Sequence, residues 1–278
     1  MPTLADVVVV LDGLYPPATA AGWDAVGPVC GDPASEVSTI LLALDPVEVV
    51  VDEALAAGAQ LLVTHHPLYL RGTSTVYGGT PKGRVVQRLL AAGCGLYVAH
   101  TNADDAPNGV NAALANVLGL TLVRPLVPGP HGPPGTGSGR VGELPVPTTL
   151  GSFAAQVAAA LPPAPAGIRV AGGPDRPVSR VAVCGGAGDA YLAQAAAAGA
   201  DVFVTADLRH HYSTEHLAGG GPALIDAGHW SSEWPWLPVA ARDLRAALAD
   251  TVEVQVSHIV TDPWTVLVTR EPLEGSQN

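Results

Sequence analysis

The stretch "VSTILLALDPVEVVVDEALAAGAQLLVT", residues 37–64, decides the fold. It opens on an apolar β-type run, passes through an Ala-rich helical segment to Gly58, a residue suited to a helix C-cap, and closes on Leu61 to Thr64. Strand, helix, glycine, strand is a βαβ unit, which implies a parallel pair joined by a right-handed crossover. The same stretch aligns without a gap to "VSRVAVCGGAGDAYLAQAAAAGADVFVT", residues 178–205, at a constant offset of 141 and with nine of 28 positions identical. Four of those matches are alanine, which counts for little in an Ala-rich chain. The framing Val-Ser, the Gly58/Gly199 match and the closing Val-Thr nevertheless favour an internal duplication.

Each half adds a further unit, "RVVQRLLAAGCGLYVAHTN" in the first and "STEHLAGGGPALIDAGH" in the second. Four strands are therefore expected to end at Thr64, His100, Thr205 and about Asp226. Between the halves, "VPGPHGPPGTGSG" from Val127 to Gly139 has no periodicity and reads as an exposed loop or linker, with His131 solvated in it.

The segments after the four strand ends are "THHP", "AHTNADDAPNG", "TADLRHH" and "DAGHWSSE". Six of the nine histidines fall there and a seventh, His216, follows shortly after "TADLRHH", with Asp104, Asp105, Asp207 and Glu233 beside them. Imidazole and carboxylate together are a donor set for Zn, Fe or Mn. His65 and His66, leaving a strand that Pro67 stops, should point in divergent directions, which suits two metals about 3.5–4 Å apart better than one. His229 and Glu233 are four apart and share a face if helical. His100 either bonds a backbone carbonyl at its strand end or acts in acid–base chemistry near the metals. Asp207 is expected to orient His211 or to cap the helix that follows. Trp230, Trp234 and Trp236 read as packing or subunit contacts, and Cys94 and Cys184 as small buried apolar residues. The expectation is an α/β fold of two related lobes with mostly parallel sheets facing a shared metal-binding cleft. Residues 1–126 form the N-terminal lobe, 127–139 the linker and 140–278 the C-terminal lobe.

Composition excludes other classes. At 278 residues and 48% apolar content the chain fills a sizeable core. Thirteen Lys and Arg against 25 Asp and Glu give a net charge of −12 with no basic cluster, so nucleic-acid binding is disfavoured. Three widely spaced cysteines, Cys30, Cys94 and Cys184, form neither a disulfide framework nor a zinc ribbon, which fits a reducing cytoplasm. The N-terminus lacks a basic n-region and no stretch approaches a membrane span, so a cytoplasmic protein is expected.

In order along the chain, "WDAVG", "VTHHPLYLRG", "AHTNADDAPNGVN", "GSGRVGEL", "GGAGD", "VTADLRHH" and "IDAGHWSSE" resemble the Nif-three-like dinuclear-metal family, also called GTP cyclohydrolase I type 2 homologs. The resemblance implies two divalent metal ions per chain, held by His65, His66, Asp104, His229 and Glu233. It also implies a ring-shaped homohexamer with its sites facing an internal cavity, and the tryptophans near the C-terminal ligands offer a physical basis for such contacts. His211 matches a family histidine and joins His100 as a candidate for proton transfer. Ala25, Pro28 and Ala206 depart from the usual residues, and Asp105 stands where a small residue is usual beside Asp104. Metal-assisted hydrolysis of a small molecule is the activity implied, and the family name suggests a nucleotide ring such as that of GTP, although the chain shows no P-loop. The competing reading is a non-catalytic metal-binding scaffold, metal store or metallochaperone. A coordination position left open to water favours the enzyme, and full protein ligation favours the scaffold.

Overall fold

The computed structural model describes residues 1–249 and 251–269, so the end of the segment 140–278 lies outside the described residues. Thr3 caps the first helix, α1 (Leu4–Leu14), through a reciprocal pair with Asp6. Then come β1 (Gly27–Cys30), β2 (Thr39–Ala43), α2 (Glu48–Ala56), β3 (Leu61–Thr64), α3 (Pro81–Ala91), β4 (Gly95–Val98), the short α4 (Thr101–Asp105) and α5 (Val110–Val117). They are followed by β5 (Thr121–Pro128), β6 (Gly137–Thr149), α6 (Leu150–Ala160), β7 (Arg169–Ala171), β8 (Pro177–Ala187), α7 (Leu192–Ala197), β9 (Val202–Ala206), α8 (His210–Ala218) and β10 (Ala223–Asp226). The last elements are α9 (His229–Glu233), α10 (Trp236–Ala247) and β11 (Glu253–Val256).

Two sheets result, ordered β1-β4-β3-β2-β11 and β5-β6-β8-β9-β10-β7. The βαβ units are present: β2 pairs in parallel with β3 across α2, and β8 with β9 across α7. Ile40 faces Leu61 in the first pair, and Val181 faces Val202 in the second, both numbers 141 higher. Gly58 and Gly199 follow the crossover helices at φ +65 and +70, the left-handed conformation that a Cβ opposes. An antiparallel strand flanks each parallel set, β1 on β4 and β7 on β10.

The first sheet is mostly parallel, as expected, but the second is mixed, because β5, β6 and β7 all pair antiparallel. The Gly/Pro-rich run is the turn of the β5–β6 hairpin, with Val127 facing Ser138 and Pro128 facing Gly137. An exposed turn and an exposed linker share one composition, and pairing alone tells them apart. β11, from the C-terminal part of the chain, pairs with β2 in the first sheet.

β2, β3 and β4 are buried at every position, because helices cover both faces of their sheet. Leu11, Ile40, Tyr97, Trp236 and Leu237 share the core on one face, and Leu41, Val51, Leu62 and Leu89 that on the other. α5 lies between the sheets: Val110 and Ala113 join the first core, Leu114 and Ala115 the second. Of the two roles read for Trp230, Trp234 and Trp236, internal packing is the one seen within the chain. Trp236 is fully buried and donates to the Tyr15 hydroxyl, Trp230 is 5% exposed, and Trp234 donates to the Ser257 carbonyl. The exposed tryptophans are Trp23 and Trp264. Cys94 and Cys184 are buried free thiols. Among the described residues, no helix is long and apolar enough to cross a membrane.

Candidate metal centre

β3 lies between β4 and β2, and the two histidines that follow it grip opposite neighbours. His65 Nδ1–H donates to the Ala99 carbonyl beyond β4 (2.9 Å), and His66 Nδ1–H donates to Asp45 Oδ1 beyond β2 (2.8 Å). The expected divergence is confined to those bonds. Both Nε2 atoms face one carboxylate, that of Glu233: His65 Nε2 lies 3.6 Å from Oε1 and His66 Nε2 lies 3.0 Å from Oε2.

Glu233 arrives on α9, which begins after Gly228 turns the chain at φ +77. Four residues apart on this helix, His229 and Glu233 meet at 3.1 Å, between Nε2 and Oε1. His229 Nδ1–H donates to Asp207 Oδ2 at 2.8 Å, so Asp207 is a partner of His229, where the sequence suggested His211 or a helix cap. Asp207 has φ +54, a conformation that Asp tolerates better than most side chains. The ends of the two sheets meet here, with His229 Nε2 and His66 Nε2 3.2 Å apart. From α4, Asp104 Oδ1 lies 3.6 Å from His65 Nε2. The structure thus brings His65, His66, Asp104, His229 and Glu233 together.

His100 joins them. Its Nδ1–H donates to Asp24 Oδ1 at 2.8 Å, and it has a ligand atom within 4.8 Å of those of His65 and His66. The backbone-carbonyl partner considered for it is replaced by the buried Asp24, which also accepts from the Thr101 amide at 3.0 Å. His211 is not brought in. It is exposed on α8, edge-on to His210, and lines neither cavity beside the cluster. Burial raises the Asp105 carboxyl, partly offset by the neighbouring Ser138 and the Arg140 guanidinium.

A cation fits this donor set. His65 Nε2 and Asp104 Oδ1 are buried without a hydrogen-bond partner, a condition that costs on the order of 1–3 kcal/mol per group unless something satisfies it, while Glu233 Oε2 has His66 Nε2 beside it at 3.0 Å. All four clustered histidines commit Nδ1 to an oxygen acceptor, which leaves Nε2 as the ring nitrogen available to a cation. Burial, reinforced by the nearby Glu233 carboxylate, pushes Asp104 up to about 8. Burial also works against charge on His66 and His229, yet the Glu233 carboxylate outweighs it and raises both, while their positive charge holds Glu233 well below the usual range. Without metal, protons on imidazole balance the carboxylate; a divalent cation would take their place. Gly186, at φ +65, leaves the space: a Cβ there would overlap Glu233 Oε1 and sit 3.1 Å from His229 Nε2.

Two cavities adjoin the cluster, and His229 lines both. One, about 580 Å³, is bounded by Trp23, His100, Asp104 and Tyr191. The other, about 630 Å³, is bounded by Asp45, Arg169, Asp207 and Trp264.

Sequence reasoning missed four participants. Asp45 ends "ALD" after β2, a fifth strand end to which the rule applied at the other four extends directly. Asp24 lay in "WDAVG" without a partner to suggest its role. Asn111 donates to the Asp104 carbonyl (3.0 Å) and accepts from the Gly185 amide (2.9 Å), tying the two sheets beside the site. Gly186 had no signal beyond its place in "GGAGD".

Residues 2–263 match the family described as Duf34/NIF3 (NGG1p interacting factor 3). A Streptomyces coelicolor protein called GTP cyclohydrolase 1 type 2 homolog is 52% identical over 99% of this chain and 98% of its own. A Mycobacterium tuberculosis protein of the same name is 37% identical over 95% of this chain and 97% of its own. Among solved structures, a Staphylococcus aureus protein superposes with a TM-score of 0.86 at 29% identity, covering 95% of this chain and 99% of that one.

Proposed function

The chain belongs to the Duf34/NIF3 family, and from that premise we propose that it is a dinuclear metal-binding protein acting as a metal-dependent hydrolase on a small molecule. The observation that carries this reading is that two buried donor atoms without hydrogen-bond partners, His65 Nε2 and Asp104 Oδ1, lie 3.6 Å apart, with the Glu233 carboxylate also 3.6 Å from His65 Nε2. Glu233, with an oxygen toward His66 and another toward both His65 and His229, is placed to serve two cations. His65 and Asp104 would hold one, His66 and His229 the other. Zn, Fe or Mn would be accepted by these donors.

A metal pair in such a site supplies a water-derived nucleophile near neutral pH and polarises the substrate. The chain's own residues do the rest. Asp24 fixes His100 in the tautomer that keeps Nε2 free toward the cavity, and that nitrogen takes up or returns the proton of the reaction. This free nitrogen favours catalysis over storage, because a metal store has no use for a proton carrier beside an open cavity. The duplication and two related lobes about a shared cleft belong to the same reading, supported by the common offset of 141 in strand register, but the division at 126 and 140 is crossed by β5, which pairs into the second sheet, and by β11, which pairs into the first. Assembly as a homohexamer belongs to the same reading, and a monomeric mass by light scattering at micromolar concentration would refute it.

Elemental analysis after reconstitution tests the core of the proposal, with two metals per chain expected and one or fewer counting against it. Turnover is tested by screening nucleotides, pterins and small amides with the metal-loaded protein against His65→Ala. No difference between the two would leave the scaffold reading in place.

A further inference from the structure

The segment that follows β11 lines the cavity of about 630 Å³, from Thr261 to Leu267, together with His66 and His229 of the cluster. As it leaves β11, the Ser257 amide donates to the Leu42 carbonyl at 2.8 Å, which carries the parallel register one residue further. Ser257 also roots the segment. Its hydroxyl donates to Glu53 Oε2 on α2 at 2.5 Å, and its carbonyl accepts at 3.0 Å from Nε1–H of Trp234, the residue directly after Glu233. Four residues on, the Thr261 hydroxyl donates to Asp45 Oδ2. The Asp262 carboxylate then accepts from the Trp264 amide at 2.8 Å. Leu267 reaches the loop between α6 and β7, where its Cδ2 lies 4.0 Å from the place a Cβ on Gly167 would take. The segment therefore leaves the first sheet and arrives beside the second, along the wall of the cavity.

Its polarity is the reverse of a packed tail. Asp262 is buried and Thr261 half-buried, whereas Trp264, Val266 and Leu267 are exposed. A tail held by the hydrophobic effect buries its apolar side chains first, but this one is fastened by a hydroxyl on a carboxylate. That carboxylate is the one that orients His66: Asp45 Oδ1 accepts from His66 Nδ1–H at 2.8 Å, and Oδ2 takes the Thr261 hydroxyl. A carboxylate turns easily about its last torsion, so a bond on one oxygen keeps the other in place. Asp207, the corresponding acceptor of His229, is 56% exposed and takes no second side-chain bond among the described residues. Only the His66 acceptor of this pair is tied to the C-terminal segment.

We infer that residues 257–267 are a strap along this cavity, latched by Thr261 on Asp45, and that the latch retains a cation on the His66 side by keeping the His66 ring in place. The inference rests on the two-metal reading above for what is retained, while the latch itself rests on the bonds just described.

The test is metal release from the Zn²⁺-loaded full chain into an excess of a chromophoric chelator, followed by stopped flow, with hydrogen exchange of residues 258–264 measured on the same protein. Two release phases are expected from the native chain. Thr261→Val keeps the shape and removes the hydroxyl. It should speed one phase roughly three- to tenfold and leave the other within about twofold, less than the roughly 10–100-fold that losing a direct acceptor of a metal-binding histidine costs. Exchange across 258–264 should rise with it, and Thr261→Ser should restore both readouts. Release or exchange indifferent to Thr261→Val, equal acceleration of both phases, or no rescue by Thr261→Ser would each overturn the inference. Zn²⁺ uptake judges the two-metal reading separately. Two bound Zn²⁺ whose release ignores Thr261→Val would sink the strap alone, whereas a single bound Zn²⁺ whose release Thr261→Val still speeds would sink the two-metal reading and leave the strap standing. No uptake at all would sink both.

Discussion

Two five-residue helices, α4 and α9, occupy corresponding places in the two sheets. Each follows the third strand of a parallel set, and the registers Leu61 to Gly95 and Val202 to Ala223 bring the strands into line. Counted from the strand ends, Thr101 corresponds to His229 and Asp105 to Glu233. The side chains do not follow that correspondence. α9 turns its first and fifth residues onto the cluster, whereas α4 turns its fourth, Asp104, and leaves Asp105 against Ser138. The anchors differ in the same way: Asp24 grips the N-terminus of α4 from outside through His100 and Thr101, while α9 starts from the left-handed Gly228 and buries Ser231 and Ser232. A shared backbone device thus fixes where a ligand-bearing helix sits, and the local anchor fixes which of its positions faces inward.

The sharpest way to break this comparison is to neutralise one carboxylate on each helix. Glu233→Gln keeps the shape and one oxygen donor but removes the anion that faces three histidines, so both metals should fall toward zero per chain after dialysis against a weak chelator. Asp104→Asn should lose about one of two, as should His66→Ala. If Asp104→Asn empties the site and Glu233→Gln does not, the roles of the helices are exchanged.

Gly186→Ala comes next, because the new Cβ overlaps the Glu233 carboxylate in a backbone conformation that already costs a non-glycine residue about 1–3 kcal/mol. Metal content should drop to one or fewer per chain, and the melting temperature of the metal-free form should fall by roughly 2–10 °C. A variant with full metal content would show that the space behind Glu233 is not needed.

Chelation of the native protein is the third probe. Removing metal held at about a hundredfold above its Kd withdraws roughly 3 kcal/mol from the folded state, or about 5–10 °C in Tm for a chain of this size. An unchanged Tm with demonstrated metal loss would mean that the donor set is stable without a cation.

The smaller effects sharpen the contrast between residues that point inward and those that do not. Asp207→Asn removes the acceptor that orients His229 and should weaken metal affinity by roughly 10–100-fold in a competition titration. Asp105→Asn should change it by less than about threefold, since Asp105 belongs to neither of the residue groups whose ligand atoms cluster and is in no ion pair with the clustered histidines. An Asp105 effect as large as that of Asp207 would identify it as a ligand.

The periodic apolar runs and the glycines after the helices announced the βαβ units, because local spacing and short-range sterics control those features, and the strand ends gathered the histidines and carboxylates from which the family resemblance singled out His65, His66, Asp104, His229 and Glu233. The sequence by itself determined the strands of the βαβ units, β2, β3, β4, β8, β9 and β10, and most of the chemical groups gathered at their ends. Only the tertiary structure decided that the Gly/Pro run closes a hairpin, that β11 returns to the first sheet, that Trp230 and Trp236 are interior, and that His211 stays outside while Asp24 and Asp45 hold the rings of His100 and His66. Asp24 and His100 are 76 residues apart, and His66 and His229 are 163 apart. Contacts at such separations depend on how sheets pair and pack, and no local spacing in the chain encodes that.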